Sequence, residues 1–426
     1  MDLSVRGSGG LHGAVDIPPN KSHSFRALVM AALAEGTSHI RRPLVSSDWM
    51  RGTEAMEMFG ASATPEKGDA WIIEGTGGEL RTPEDIIDCG NSGIIFRFFT
   101  GLAGACRGYT VLTGDHSIRH IRPIGALLEA MEQLGAFARS TKGDGHGPVV
   151  VRGPLRGGVA TVDGADSQPV SALLIAASLA DAPAELNVRT PGEKPWVDLT
   201  LDWLRRCGVD FSNEDYTRYR VRGRQRWGGF QTTIPRDWSA AMYPIVAAVI
   251  TPDSEIHLPG MDFNDVQGDR LVVNVLREMG ADIEVTDAGV TARSSPLTGR
   301  VIDCNDFIDQ FMLLAVVGCY ADGETVLTNA EICRHKECDR ISAMDTALRT
   351  MGADVEQRPD GLIIRRSDLT GAALDSHDDH RMVMTLATAA LGAAGETVIR
   401  NIDCVKKTFP HFVHEMERLG ALMISG

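Results

Sequence analysis

Six times along the 426-residue chain an amphipathic stretch ends in a glycine flanked by apolar residues. The copies are Phe59-Gly60-Ala61, Leu134-Gly135-Ala136, Cys207-Gly208-Val209, Met279-Gly280-Ala281, Met351-Gly352-Ala353 and Leu419-Gly420-Ala421. The glycines recur at intervals of 75, 73, 72, 72 and 68 residues, so six units of about 71 residues fill the chain. A period of this length restricts the fold to a repeat architecture in which supersecondary units bury their apolar faces together.

Each signature closes a helix pattern, as with Leu127, Leu128, Met131 and Leu134, or Val275 and Met279. The glycine is predicted to take the left-handed turn that ends the helix. A short alternating stretch follows and reads as a strand, as in Ala281–Val285 and Ala353–Glu356. The units also hold a second, Ala-rich helix, clearest over Ala27–Ala34, Ala172–Ala180, Tyr243–Ile250, Phe311–Tyr320 and Met382–Ala390. These are apolar nearly all round, which predicts burial rather than a surface position. Strands such as Gly323–Leu327 and Gly395–Ile399 come next. Strands plus two helices, repeated six times, predict an α/β protein of two lobes with three units each.

Composition narrows the partners. Hydrophobic residues make up 43% and charged residues 23%, the balance of a globular protein with ample core. With 42 Lys and Arg against 57 Asp and Glu, the net charge of −15 opposes nucleic acid and acidic membrane surfaces. A small anionic ligand stays open wherever basic residues converge locally. No apolar run approaches the ~20 residues of a membrane span, and Met1-Asp2-Leu3-Ser4-Val5-Arg6 does not read as a secretory leader. A cytoplasmic protein is expected. The eight cysteines are scattered without a C-x-x-C pair, which favours reduced thiols over a metal or disulfide framework.

The residues just ahead of the apolar helices are polar and specific: Lys21-Ser22-His23-Ser24-Phe25-Arg26, Asn91-Ser92-Gly93, Asp166-Ser167-Gln168, Asp237-Trp238-Ser239, Asp309-Gln310 and Asp378-Asp379-His380-Arg381. Ser, Asp and Asn are preferred helix N-caps, and capping alone accounts for Asp237 and Ser239. Capping does not call for the Lys, the Gln or the Arg residues. Helix N-termini carry partial positive charge and free N–H groups, so several of them joined by Lys and Arg make an anion site. Gly7-Ser8-Gly9-Gly10 lacks the following Gly-Lys-Ser/Thr of a phosphate loop. His116 with His120, and His377 with His380, lack a fitting third ligand for zinc.

Together these residues resemble the enolpyruvyl transferases, along essentially the whole chain, and within them the branch that acts on shikimate 3-phosphate. The likeness rests on Pro19-Asn20-Lys21-Ser22 with Arg26, Asn91-Ser92-Gly93 with Arg97, Arg122-Pro123, Ser167-Gln168, Lys194-Pro195 and Asp309. It continues through Arg334-His335-Lys336-Glu337-Cys338-Asp339-Arg340, Asp379-His380-Arg381-Met382 and Lys407-Thr408-Phe409-Pro410.

The resemblance implies a two-lobed inside-out α/β barrel (prism) of six βαβαββ units, three per lobe. One lobe would be discontinuous (1–19 plus 235–426), the other would span 20–234, and the active site would lie in the cleft between them. It implies transfer of the carboxyvinyl group of phosphoenolpyruvate to a hydroxyl, without metal or cofactor, by a monomer whose only partners are small molecules. Lys21, Asp309 and Glu337 are expected to be catalytic. Lys21, Gly93, Arg122, Gln168, Arg340, Arg381 and Lys407 are expected to hold phosphoenolpyruvate. Ser22, Arg26, Asp166, Ser167, Gln168, Glu193, Trp196, Asp309 and Lys336 are expected around the acceptor.

The acceptor side departs from the family pattern. Asp166 and Glu193 stand where serines are usual, Trp196 where tyrosine is usual, and Ile94 and Ile332 where polar residues are usual. A carboxylate ~5 Å from the acceptor's phosphate would cost ~3 kcal/mol per unit charge at an effective dielectric of ~20. Two acceptors are therefore carried forward: shikimate 3-phosphate or a related cyclic polyol, and, in a divergent paralogue, a non-phosphorylated or amino-bearing ring. RNA 3′-phosphate cyclases share related repeat units, and an inactive repeat scaffold is the remaining alternative. The acidic chain and the full phosphoenolpyruvate set oppose both.

Overall fold

The computed structural model describes every residue, Met1–Gly426. The chain divides into two compact units, Met1–Asn20 joined by Pro235–Gly426, and Lys21–Ile234. Three four-stranded sheets lie in each unit, and Leu297–Thr298 with Ala321–Asp322 adds a two-stranded pair to the discontinuous one.

All six four-stranded sheets share one plan. An edge strand pairs parallel with its neighbour, and the other two pairings are antiparallel. A parallel pair needs a long crossover, and in four of the six sheets one Ala-rich helix supplies it. Gly158–Asp163, for example, leads through helix Ser167–Leu179 to Ala184–Arg189, with Gly158 beside Ala184 and Asp163 beside Arg189.

Each unit closes on itself by returning a strand from its far end. In Lys21–Ile234, the late strand Gln231–Thr233 completes the first sheet by pairing with Glu35–Arg41. In the other unit, His12–Ala14 pairs with Glu255–Pro259. There Leu3–Arg6 lies between Glu396–Arg400 and Leu422–Ser425, with Leu3 opposite both Ile399 and Ser425.

The recurring glycine does what the sequence predicts. Its φ is positive in all six copies, from 70° at Gly208 to 113° at Gly280, a region that favours glycine. The following amide returns to the carbonyl five residues back in every copy: Ala61 to Met56, Ala136 to Met131, Val209 to Leu204, Ala281 to Leu276, Ala353 to Leu348 and Ala421 to Met416. That bond satisfies a carbonyl the helix end would leave unpaired, then turns the chain into a strand.

The six central helices are Lys21–Leu33, Gly93–Ala103, Ser167–Leu179, Trp238–Ile250, Phe311–Tyr320 and His380–Leu391. Three lie in each unit, at the centre of one apolar core per unit. Every residue of Trp238–Ile250 is buried. Small residues let the helices approach closely: a Cβ on Gly101 would lie 3.1 Å from the Ala172 carbonyl oxygen. Several begin earlier than the apolar pattern alone indicates. Helix 21–33 starts at Lys21 rather than Ala27, because the polar residues ahead of the apolar run are its first turns and not a preceding loop.

No helix is long and apolar enough to cross a membrane. All eight cysteines are free thiols. No group of three or more His, Cys, Asp or Glu side chains is disposed to hold a metal ion, and His116 and His120 stack ring on ring at 4.6 Å.

Candidate active site

In the discontinuous unit the expected residues gather where the helices His380–Leu391 and Arg340–Thr350 begin and the turn Asn305–Gln310 ends. Arg340 is at the centre and only 1% exposed. Its Nε donates to Asp379 Oδ2 at 2.8 Å, Nη1 to Asp309 Oδ1 at 3.0 Å and Nη2 to Glu337 Oε2 at 2.8 Å. Arg381 Nη2 donates to the other Asp309 oxygen at 2.8 Å. Asp379 also caps its helix by accepting from the Arg381 amide.

Two buried guanidinium groups thus face three carboxylates. Desolvation alone would raise the pKa of Asp309, but Arg381, Arg340 and Lys336 prevail and hold it down at about 2. Asp309 is therefore a carboxylate at neutral pH, and Arg340 is driven well above its ordinary value by the same partners against its own desolvation. Lys407 is buried in the turn Ile402–Lys407.

The other unit assembles a second cluster at the N-termini of its three central helices. Gly93 opens one of them, and a Cβ there would stand 2.7 Å from Arg122 Nη1, 2.8 Å from Arg97 Nη1 and 3.4 Å from Gln168 Oε1. Gly93, Arg122 and Gln168 are thereby together. Arg97 Nη1 donates to Gln168 Oε1 at 3.0 Å, and Arg122 Nη2 to Asn91 Oδ1 at 3.3 Å. Lys21 Nζ is 3.9 Å from Asp48 Oδ2, which also accepts from Ser92 Oγ at 2.9 Å.

The acceptor residues take positions the sequence did not indicate. Asp166 caps the Gln168 amide with one oxygen and pairs with Arg97 Nη2 at 2.9 Å through the other. Glu193, 1% exposed and in the left-handed backbone region, accepts from both the Ser167 amide and its hydroxyl, at 2.9 and 2.7 Å. Arg26 is buried, and its donors bind Thr200 Oγ1 and the carbonyls of Ser22 and Trp196. Burial pulls its pKa down to about 9. Ile94 and Ile332 pack with the apolar cores.

Four partners escaped sequence reasoning. Arg97 and Asp379 fall inside motif stretches, and their place at a buried helix start was the available signal. Asp48 reads as part of an ordinary surface-helix N-terminus and carries no signal of its own. Gln310 shows only as the neighbour of Asp309.

Six repeat units built around buried helices, with Arg, Lys and carboxylate side chains at the helix N-termini, define the enolpyruvyl transferase class of architecture. A family profile described as EPSP synthase (3-phosphoshikimate 1-carboxyvinyltransferase) matches residues 5–416. A relative named 3-phosphoshikimate 1-carboxyvinyltransferase from Acetivibrio thermocellus is 44% identical over 421 residues, 99% of each chain. One of the same name from Methanocaldococcus jannaschii is 40% identical, over 98% of each. Among solved structures, EPSP synthase from Acinetobacter baumannii superposes with a TM-score of 0.83 at 29% identity, covering 99% of both chains. The enolpyruvyl transferase NikO from Streptomyces tendae shares the fold at a TM-score of 0.78 and 20% identity, over 99% of this chain and 98% of that one. The chain belongs to the EPSP synthase family.

Proposed function

We propose that this protein transfers the carboxyvinyl group of phosphoenolpyruvate to a hydroxyl of shikimate 3-phosphate and releases phosphate. One observation carries the reading: Asp309 is held between Arg340 and Arg381, with Glu337 on the same guanidinium. Family membership along the full chain supports it.

The residues then take these roles. The donor's phosphate and carboxylate are drawn to Arg340, Arg381, Lys407, Lys21, Arg122, Gln168 and the Gly93 amide, forked Arg donors suiting both anions. As a substrate anion takes donors from Arg381 and Arg340, Asp309 loses the pairing that holds its pKa down, and its proton affinity rises. It can then accept the proton of the attacking hydroxyl. Glu337 and Lys21 carry the proton that joins the methylene carbon and leaves again when phosphate is expelled. The C–O bond of phosphoenolpyruvate breaks, so the chemistry is proton transfer and addition–elimination, which asks for no metal or redox group. The acidic net charge supports small-molecule substrates over nucleic acid, and the reading extends to a cytoplasmic monomer.

Shikimate 3-phosphate is favoured over an uncharged or amino-bearing ring because both suspect carboxylates are already committed, Asp166 to Arg97 and Glu193 to Ser167. Phosphate release from phosphoenolpyruvate should be at least ~100-fold more efficient in kcat/KM with shikimate 3-phosphate than with shikimate, the margin of a well-met charged group. Glu337→Ala should remove turnover with every acceptor. Preference for shikimate or an aminocyclitol would reinstate the divergent acceptor, and a wild-type rate in Glu337→Ala would sink the acid–base assignment.

The same geometry makes a second prediction. Replacing Asp166 and Glu193 together by Ser should leave the KM for shikimate 3-phosphate within ~3-fold, since neither charge opposes the phosphate. The variant should lose ~1–3 kcal/mol of stability as the Asp166–Arg97 ion pair and the bonds from Ser167 to Glu193 go, while Ser keeps the helix cap. A tenfold fall in that KM would mean the carboxylates do repel the acceptor.

A further inference from the structure

We propose that Asp269 is a positioning residue that holds a proton below neutral pH, releases it above, and so sets the charge that Asp309 and Arg381 offer to the anionic donor. This rests on the function proposed above.

Asp269 lies in the short helical turn Gly268–Leu271 and is fully buried. One of its oxygens, Oδ2, accepts from the Ser239 hydroxyl and from Gln310 Nε2, the latter at 2.9 Å. The other, Oδ1, is buried with no hydrogen-bond partner, and so is Gln310 Oε1. No Lys, Arg or His nitrogen forms an ion pair with Asp269, since Arg381 pairs instead with Asp309.

A carboxylate shares its charge over two oxygens and needs donors at both, and an unpaired buried charge is among the costliest groups in a protein. A carboxylic acid fits this site better, with Oδ2 as the carbonyl oxygen taking both donors and Oδ1 as the hydroxyl. The electrostatic surroundings agree. Desolvation first, then the charge of Asp309, push Asp269 up to about 7, against Arg381, Ser239 and Gln310.

The placement gives that proton a consequence. Gln310 directly follows Asp309, so Asp269 holds the end of the turn that presents the candidate base. The residue two before Asp269, Gln267, accepts from the Trp238 amide and from Asn20 Nδ2, and donates to the Arg236 carbonyl. The charged groups acting on Asp269 are Asp309 from the turn 305–310 and Arg381 from helix 380–391, and Arg381 is in turn acted on by Arg340 from helix 340–350 and Tyr243 from helix 238–250. Once Asp269 ionises, its proton passing to solvent, a second carboxylate bears on Arg381. The guanidinium is then less available to phosphoenolpyruvate.

The test compares wild type with the isosteric, permanently neutral Asp269→Asn. Between pH 6.5 and 8.5 the KM for phosphoenolpyruvate should rise about fivefold more in wild type than in the variant, because only wild type gains the charge. A purely structural asparagine-for-aspartate effect would shift KM equally at both pH values. Thermal unfolding gives a readout independent of turnover. The folded pKa of Asp269 is raised above the unfolded one, so its stabilisation is full below the unfolded value near ~4 and is lost as pH rises through about 7.

The melting temperature of wild type should therefore fall relative to Asp269→Asn by about 5 °C from pH 4.5 to 8. Ser239→Ala, which removes one donor to Oδ2, should move this transition to higher pH. Parallel melting curves for wild type and Asp269→Asn overturn the proposal, as does an equal KM rise in both. A wild type without turnover on shikimate 3-phosphate counts against the proposed function, while the melting curves still decide the state of Asp269. Should Asp269→Asn not fold, an unmoved transition in Ser239→Ala overturns it.

Discussion

Arg340→Met should abolish turnover and lower the unfolding free energy by about 3–5 kcal/mol at pH 7, the range for removing one partner of a buried ion cluster. The loss arises from what remains: Asp309, Glu337 and Asp379 would keep their burial but lose the guanidinium that each of them binds. The pH dependence has a defined sign. With a folded pKa near 2, well below its unfolded value of ~4, Asp309 stabilises the wild type above the unfolded value and loses that contribution as pH falls toward 2. Without Arg340 its pKa rises, so less stabilisation remains at neutral pH and the gap between the two proteins narrows on acidification. Urea unfolding from pH 3 to 8 measures both. A variant as stable as wild type at pH 7 would mean the carboxylates find other counter-charges.

Gly93→Ala should raise the KM for phosphoenolpyruvate about 10- to 100-fold with little change in melting temperature. The added methyl would stand within 2.7–2.8 Å of guanidinium nitrogens on Arg122 and Arg97, closer than real side chains allow. Both arginines must move outward. Arg122 leaves the donor and Arg97 strains its bonds to Gln168 and Asp166, and a displacement of ~1 Å at a binding group can cost ~100-fold. Steady-state kinetics with each substrate varied in turn will show the effect, chiefly in the donor constants. Equal losses in donor and acceptor KM would point to a general collapse of the helix start instead.

The architecture was legible because its signals are periodic. Six glycines at near-equal spacing report six helix ends, and an apolar helix without a polar face can only lie inside. The helix starts were less so. Lys21 and Arg26 looked like residues ahead of a helix because hydrophobic periodicity is blind to a polar first turn, although the turn is helical all the same.

Side-chain pairing was less legible still. Asp166 and Glu193 were two unwelcome charges by position alone, since sequence gives no distance to Arg97, 69 residues away from Asp166, or from Glu193 to the Ser167 hydroxyl. Asp48 and Asp269 were invisible for the same reason. Each owes its role to partners about 27–44 residues away along the chain, and nothing local marks it.

The place of Leu3–Arg6 sets an order of events during synthesis. This strand is synthesised about 390 residues ahead of Glu396–Arg400, the earlier of its two neighbours, and further still ahead of Leu422–Ser425. At ~5–20 residues per second it waits roughly 20–80 s for the first of them. All strands of the Lys21–Ile234 sheets come from within that unit, so it can close while the outer one is still open. The chain thus matures from residues 21–234 outward, and the strands that flank this stretch pair only once the residues between them have all been made.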